Sequence, residues 1–433
     1  MTAVSEKQGA LKRDIGIVGA SFIALNGIVG AGIFAMPQAL AEGAGAFSPY
    51  LVVIFGLLMI SVAIVFGELA GQFDQAGGPV VYASAAFGGF AGFQVGWLYY
   101  LGRITTIAAN TNALLTYVAI FAPGLDHGVL RLGAIAAFVL ALVGLNIVGV
   151  KQAVRTLNWV TLFKLTPLAL LAVWGLLAFA TAIPAPSAPP ALGQIGEISL
   201  LLLYAFVGFE GATLTAGETR AAKSVLPRAL VGAIVGMTGL YFLVQLAYVA
   251  IMQGQTPDGA PLASAAHVLA GPWGATAITI AAIVSIGGNL LAATIATPRL
   301  TLAMAREGVL PSWFGAVHPR FATPANSILA LGLIAGALAM SGAFVWLAVM
   351  SALTRMVIYL VCTAALLRLR RGAPKLKRGA FEQAVRLAAP ILALALCLWA
   401  MAQAKPDAWA FLGGFALVGA ALFAVSQRRS KLP

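Results

Sequence analysis

The sequence predicts an all-α integral membrane protein of twelve transmembrane helices, with both ends of the chain in the cytoplasm. Three observations carry that expectation. Apolar residues make up 61% of the 433 residues and charged ones 9%; the apolar residues come in runs of membrane-crossing length; and the basic residues gather between those runs on one side. A soluble surface takes about 25% charged residues, so a soluble globule of this size could not cover itself. The same composition excludes intrinsic disorder, collagen-like repeats and coiled coils. A net charge of +13 would point a soluble protein toward nucleic acid. Here the basic residues serve as topology signals, and no nucleic-acid partner is expected.

A crossing helix needs about 20 mostly apolar residues, because roughly 30 Å of hydrocarbon is covered at ~1.5 Å per residue. That length is met at 15–40, 48–69, 90–121, 130–150, 155–181, 197–217, 228–252, 273–304, 325–341, 344–368, 386–404 and 407–426. The first run is too long and too interrupted by glycine for a signal peptide, and it has no small-residue cleavage site. Alternating sides puts 20 Lys and Arg in segments assigned to the cytoplasm: 1–14, 150–155, 218–228, 305–324, 368–386 and 427–433. Two, Arg131 and Lys405, fall opposite. That bias holds both termini inside, as an even number of crossings requires. Segments 182–196 and 253–272, on the opposite side, carry no Lys or Arg and read as loops.

Cys362 and Cys397 lie inside apolar stretches, and His127, His267 and His318 are scattered through connections. Neither pattern builds a disulfide framework, a metal site or a haem site, so no cofactor is expected. No set of His, Asp or Cys converges at one depth, which argues against a membrane enzyme. The lack of a repeated pore helix argues against a channel.

Two features do carry chemistry. The first is backbone: Asn26-Gly27-Ile28-Val29-Gly30-Ala31-Gly32 interrupts the first span near its middle, and Phe206-Val207-Gly208-Phe209-Glu210-Gly211 interrupts the sixth. Spans five apart cross in opposite directions, and glycine-broken helices at matching places in two halves point to the substrate site of an inverted-repeat transporter. Unwound backbone at that depth is tolerated where it lines a cavity. A half-helix N-terminus then offers amides to a carboxylate, and freed carbonyls face an ammonium. Glycines that only let helices pack closely are the blander explanation of either cluster alone.

The second feature is charge inside the spans, which costs at least ~2.5–3.5 kcal/mol per residue unless partnered. Four residues stand out: Arg103, Lys164, Glu210 and Arg355. Lys164 lies nine residues past Arg155, so about 13.5 Å into the membrane at ~1.5 Å per residue. Glu210, read as the one acidic residue inside a span, sits in the break of the sixth. Arg103 and Arg355 are candidate intramembrane charge partners.

At these residues the sequence resembles the amino acid–polyamine–organocation superfamily, over nearly the whole chain. Gly27 through Phe34 is similar to the family's broken first helix, and Phe206 through Glu218 to its sixth. Gly77-Gly78 with Val81-Tyr82 and Gly96-Trp97 resembles the stretch between helices two and three. Ala303-Met304-Ala305-Arg306-Glu307-Gly308-Val309-Leu310-Pro311 and Thr323-Pro324 resemble the end of helix eight and the start of nine.

The resemblance implies a leucine-transporter-like fold. Residues 15–181 and 197–368 would form five-plus-five inverted repeats with helices one and six broken, and 386–426 would be peripheral. It also implies roles. Gly30, Ala31 and Gly32 would offer amides to a substrate carboxylate, while the Ile28 carbonyl and the backbone around Tyr204, Phe206 and Val207 would take the ammonium, with Gly208 beside them in the substrate site. Tyr204 also falls where related exchangers carry an aromatic gate. Asn289 stands where arginine exchangers carry a gate aromatic, a departure that argues against an arginine/agmatine exchanger. Lys164 is similar to the lysine that replaces sodium in proton-coupled members, with Glu210 as the second coupling candidate. The expected activity is proton-coupled amino acid uptake across the cytoplasmic membrane. An exchanger without net proton coupling and an amine or polyamine permease are the alternatives. With Glu210 the only acid inside a span, a neutral substrate is favoured; an anionic one stays open if Arg103 faces the cavity.

Overall fold

The computed structural model describes residues 13–73, 77–149, 157–185, 188–257, 259–342, 344–371 and 379–429. The ends 1–12 and 430–433, and the start of the fifth expected span at 155–156, lie outside the described residues.

The described chain is almost entirely helical. The order is α1 (Ile17–Ile28), α2 (Gly32–Ala35), α3 (Pro37–Ala44), α4 (Ser48–Ala70), α5 (Pro79–Phe87), α6 (Gly89–Val118), α7 (Gly128–Val148), α8 (Leu157–Ala178) and α9 (Leu192–Tyr204). A 3₁₀ stretch, Phe209–Glu218, follows. Then come α10 (Ala222–Met252), α11 (Pro261–Arg306), α12 (Ala325–Ser341), α13 (Phe344–Arg370), α14 (Ala380–Ala402) and α15 (Pro406–Arg429). Nine helical segments among the described residues are long and apolar enough to cross a membrane. Two more apolar segments, Lys164–Ala178 and Ala325–Ser341, are shorter. The 30-residue α6 is more polar, with Gln94, Arg103, Asn110 and Asn112 along it, and most of its residues are buried. Its polar groups therefore face protein and not lipid, as they must where no water satisfies them.

Several boundaries differ from those read in the sequence. Residues 261–269 and 79–87 are helical where connections were expected. Both are too short to register as spans, and a proline opens each, where its missing N–H costs nothing. The first of them is the opening part of α11, set off from the rest by a kink at Ala270 and Gly271. α10 starts six residues before 228 and carries Pro227 within it. Glu210 is also not alone among acids in the spans: Glu68 lies in the last turns of α4, paired with Arg370 and, at 3.3 Å, with Arg386.

The helices close around a continuous apolar core in which α4 packs on α10 and α6 packs on α11 and α13. α15 lies at the edge against α6, where Trp97 stacks on Phe415 at 4.6 Å and donates to its carbonyl at 2.8 Å. α6, α1 and the segment after α9 enclose the centre.

A cavity between two interrupted helices

The helical ladder of α1 stops at Ile28. Val29 leaves the helical region (φ −76°, ψ 90°), the Gly30 amide turns back onto the Ile28 carbonyl at 2.9 Å, and the helix resumes at Gly32. α9 stops at Tyr204 in the same manner. Ala205 and Phe206 close the last turn, and Gly208 takes φ +109°, a left-handed conformation that glycine adopts without strain. The two interruptions touch. A Cβ added at Gly27 would run into the Gly208 carbonyl, and one at Gly208 into the Gly27 carbonyl. Two bare backbones thus meet at the centre of the molecule, a contact only glycine on both sides permits.

Between them lies a small cavity of about 20 Å³. It brings together Ile28, Gly30, Ala31, Gly32, Tyr204, Val207, Gly208 and Asn289, with Arg103 and Arg355 at its wall. Phe206 is not in the wall; its ring is buried against Tyr241, centroids 5.7 Å apart. Gly27, Thr106 and Asn110 complete the lining and were not singled out from the sequence as site residues.

A chain of amides organises the wall. Asn110 Oδ1 accepts from the Tyr204 hydroxyl at 2.7 Å and from the Ala31 amide at 3.3 Å. Asn110 Nδ2 donates to Asn289 Oδ1 at 2.9 Å, and Asn289 Nδ2 donates to the Asn26 carbonyl at 3.1 Å, with the Val29 carbonyl at 3.4 Å. Asn26 Oδ1 in turn accepts from Lys164 Nζ at 2.8 Å. Lys164 is fully buried and sits behind the cavity, so it reaches the interruption of α1 through Asn26. Buried polar chains of this kind hold one arrangement because each unmet group would be costly.

Glu210 and Arg355 form the second polar cluster. They are ion-paired at 3.1 Å, each side chain 1% exposed. Glu210 also accepts the Gly208 amide at 2.8 Å and the Tyr359 hydroxyl at 2.7 Å. Arg355 also donates through Nη1 to the Gly102 carbonyl at 3.0 Å and to the Ser351 hydroxyl at 2.6 Å. Both charges are consumed in fixing the left-handed turn of Gly208 to α13. Arg103, by contrast, makes no hydrogen bond or ion pair among the described residues and lies over the Tyr99 ring, 5.7 Å from its centroid.

The family model described as Amino acid permease matches residues 15–429. The chain belongs to the amino acid permease family. It is 32% identical over 350 residues to an uncharacterized transporter of Mycobacterium tuberculosis strain H37Rv, covering 76% of this chain and 74% of that one. A serine/threonine exchanger of Bacillus subtilis strain 168 is 28% identical, over 76% of this permease and 77% of the relative. Among solved structures, MhsT in complex with L-phenylalanine superposes with a TM-score of 0.63 at 16% identity, covering 90% of this permease and 99% of MhsT. That likeness gives the permease the leucine-transporter-like fold.

Proposed function

We propose that this permease takes amino acids inward with protons by alternating access across the cytoplasmic membrane. In this reading the chain crosses twelve times, with the short segments of α8 and α12 and the polar α6 included. Residues 15–181 and 197–368 are the inverted repeats, 386–426 is peripheral, and both termini, including 1–14 and 427–433, are cytoplasmic. The observation that carries it is the meeting of the two interrupted helices at Gly27 and Gly208 beside a buried lysine bonded to Asn26.

The substrate carboxylate meets the amides of Gly30, Ala31 and Gly32, displacing Asn110 from the Ala31 amide and the Ile28 carbonyl from the Gly30 amide. The ammonium meets the Ile28 carbonyl and the carbonyls freed at Tyr204, Phe206 and Val207. Glu210 is neutralised by Arg355, so no free carboxylate in the wall awaits a cationic side chain; a neutral amino acid fits this wall better than a lysine-like one. Glu210 holds the turn, which leaves Lys164 as the coupling residue. A charged Lys164 ties α8 to α1 through Asn26. Two conformations that expose the amine differently to water bind its proton with different affinity, and that difference is what lets a proton shift a conformational equilibrium.

The test is uptake into proteoliposomes with and without an imposed pH gradient. Lys164→Ala is expected to lose gradient-driven accumulation while keeping counterflow, and Lys164→Arg should not rescue it, since a guanidinium keeps its proton. A Lys164→Ala protein that still concentrates substrate along the gradient overturns the assignment. The likeness to a serine/threonine exchanger favours a second reading, obligatory exchange. It predicts that wild-type uptake needs substrate inside the vesicle and ignores the gradient.

A further inference from the structure

We propose that Arg103, with the hydroxyl of Tyr99, forms a carboxylate-binding site at the seam between the central cavity and a second, larger one. The inference rests on the amino acid carrier reading above and names a site outside its two interrupted helices. Arg103, Thr106 and Asn110 follow one another at helical spacing and so share a face of α6. Arg103 lines the central cavity with them, and it also lines a cavity of about 240 Å³ bounded by Val80, Leu214, Thr297 and Met304. It is a residue shared by both walls.

Its chemistry is unspent. The guanidinium cannot give up its proton, and inside a membrane protein such a charge pairs with an acid or with carbonyls. Arg355, which lines the central cavity with it, does so with Glu210, Gly102 and Ser351. Arg103 does not; among the described residues its contact is the Tyr99 ring. Glu307 also borders the larger cavity, but it is exposed and forms no ion pair with Arg103. Tyr99 is 7% exposed, and its hydroxyl is buried in the wall of the larger cavity with no partner. A forked cation beside a phenol without a partner matches the planar, two-oxygen acceptor of a carboxylate.

The carboxylate has two sources in an amino acid. It is the substrate's side chain, held at Arg103 while the main-chain carboxylate sits at residues 30–32, or it is the main-chain carboxylate itself, caught at Arg103 as the substrate passes into the larger cavity. The experiment measures uptake of radiolabelled serine into right-side-out and inside-out membrane vesicles from cells expressing wild type, Arg103→Gln and Arg103→Lys, with glutamate and glutamine as competitors. If the side chain is bound, glutamate competes at least tenfold better than glutamine in wild type, and Arg103→Gln erases the difference. If the main-chain carboxylate is bound, the two compete alike. Arg103→Gln then raises KM at least tenfold in vesicles of one orientation and less than twofold in the other. Arg103→Lys, which keeps the charge without the fork, falls between wild type and Arg103→Gln in either case. An Arg103→Gln protein within twofold of wild type on both measurements overturns the site. Wild-type vesicles that accumulate none of these amino acids overturn the carrier reading instead.

Discussion

Glu210 takes three donors from two places, the Gly208 amide beside it and the Tyr359 hydroxyl and Arg355 guanidinium on α13. A buried carboxylate so engaged is a clamp. It fixes the left-handed turn after α9 to a helix 145 residues further along the chain. Removing one member of a buried ion pair strands the other and costs about 3–5 kcal/mol, whereas replacing both is far milder. Arg355→Met is therefore expected to lower the melting temperature of the detergent-purified protein sharply. Glu210→Gln combined with Arg355→Met should recover most of the loss, since the amide oxygen still accepts the Gly208 N–H. A single variant that melts with wild type would show that the clamp holds nothing. Glu210 and Arg355 could be picked out from sequence because charge is anomalous in an apolar run. Their pairing could not, because nothing local reports a contact across 145 residues. Asn110, which joins both interrupted helices, escaped notice for a different reason: a neutral amide in a span reads as an ordinary hydrogen bonder between helices, although its spacing from Arg103 and Thr106 marks the same helix face.

At the scale of elements, the meeting of α1 with the stretch after α9 depends on atoms that are not there. Gly27→Ala places a methyl group against the Gly208 carbonyl, with backbone on both sides and no side chain able to swing away. It is expected to abolish uptake while leaving a folded, membrane-inserted protein. Gly239→Ala, in the interior of α10 with nothing within 4 Å of the added carbon, should transport as wild type does, with a small gain in helix propensity of up to ~1 kcal/mol. Transport rates normalised to surface expression decide it, and equal rates for the two variants would sink the idea that backbone contact matters. Long apolar runs and their glycine interruptions are legible because the bilayer imposes length and composition together. The helices at 79–87 and 261–269 were not, because an element too short to cross has no such constraint and is fixed by what it packs against.

For the molecule as a whole, alternating access requires that the two interrupted helices move relative to each other at their outer ends while staying in contact at the centre. The structure shows what holds one end. Ile15, just before α1, pairs with Thr219 as a parallel bridge: its amide donates to the Glu218 carbonyl at 3.1 Å, and its carbonyl accepts the Arg220 amide at 2.9 Å. Arg220 adds an ion pair to Asp14 at 3.2 Å, half exposed and so contributing little by itself. This latch joins the start of α1 to the end of the stretch after α9, away from the Gly27–Gly208 contact, so in the alternating-access reading proposed above opening it is the natural route from the central cavity to that side. Bridged residues on neighbouring strands lie roughly 5 Å apart, within the Cα separation a disulfide accepts. Ile15→Cys with Thr219→Cys should then crosslink under mild oxidation, and the native Cys362 and Cys397, both buried, should not interfere. The oxidised protein is expected to bind substrate in detergent yet to move none across a membrane, with transport returning on reduction. Each single cysteine variant should be indifferent to oxidant. A crosslinked protein that still transports at the wild-type rate would mean the latch never opens in the cycle, and the path to that side would have to run elsewhere.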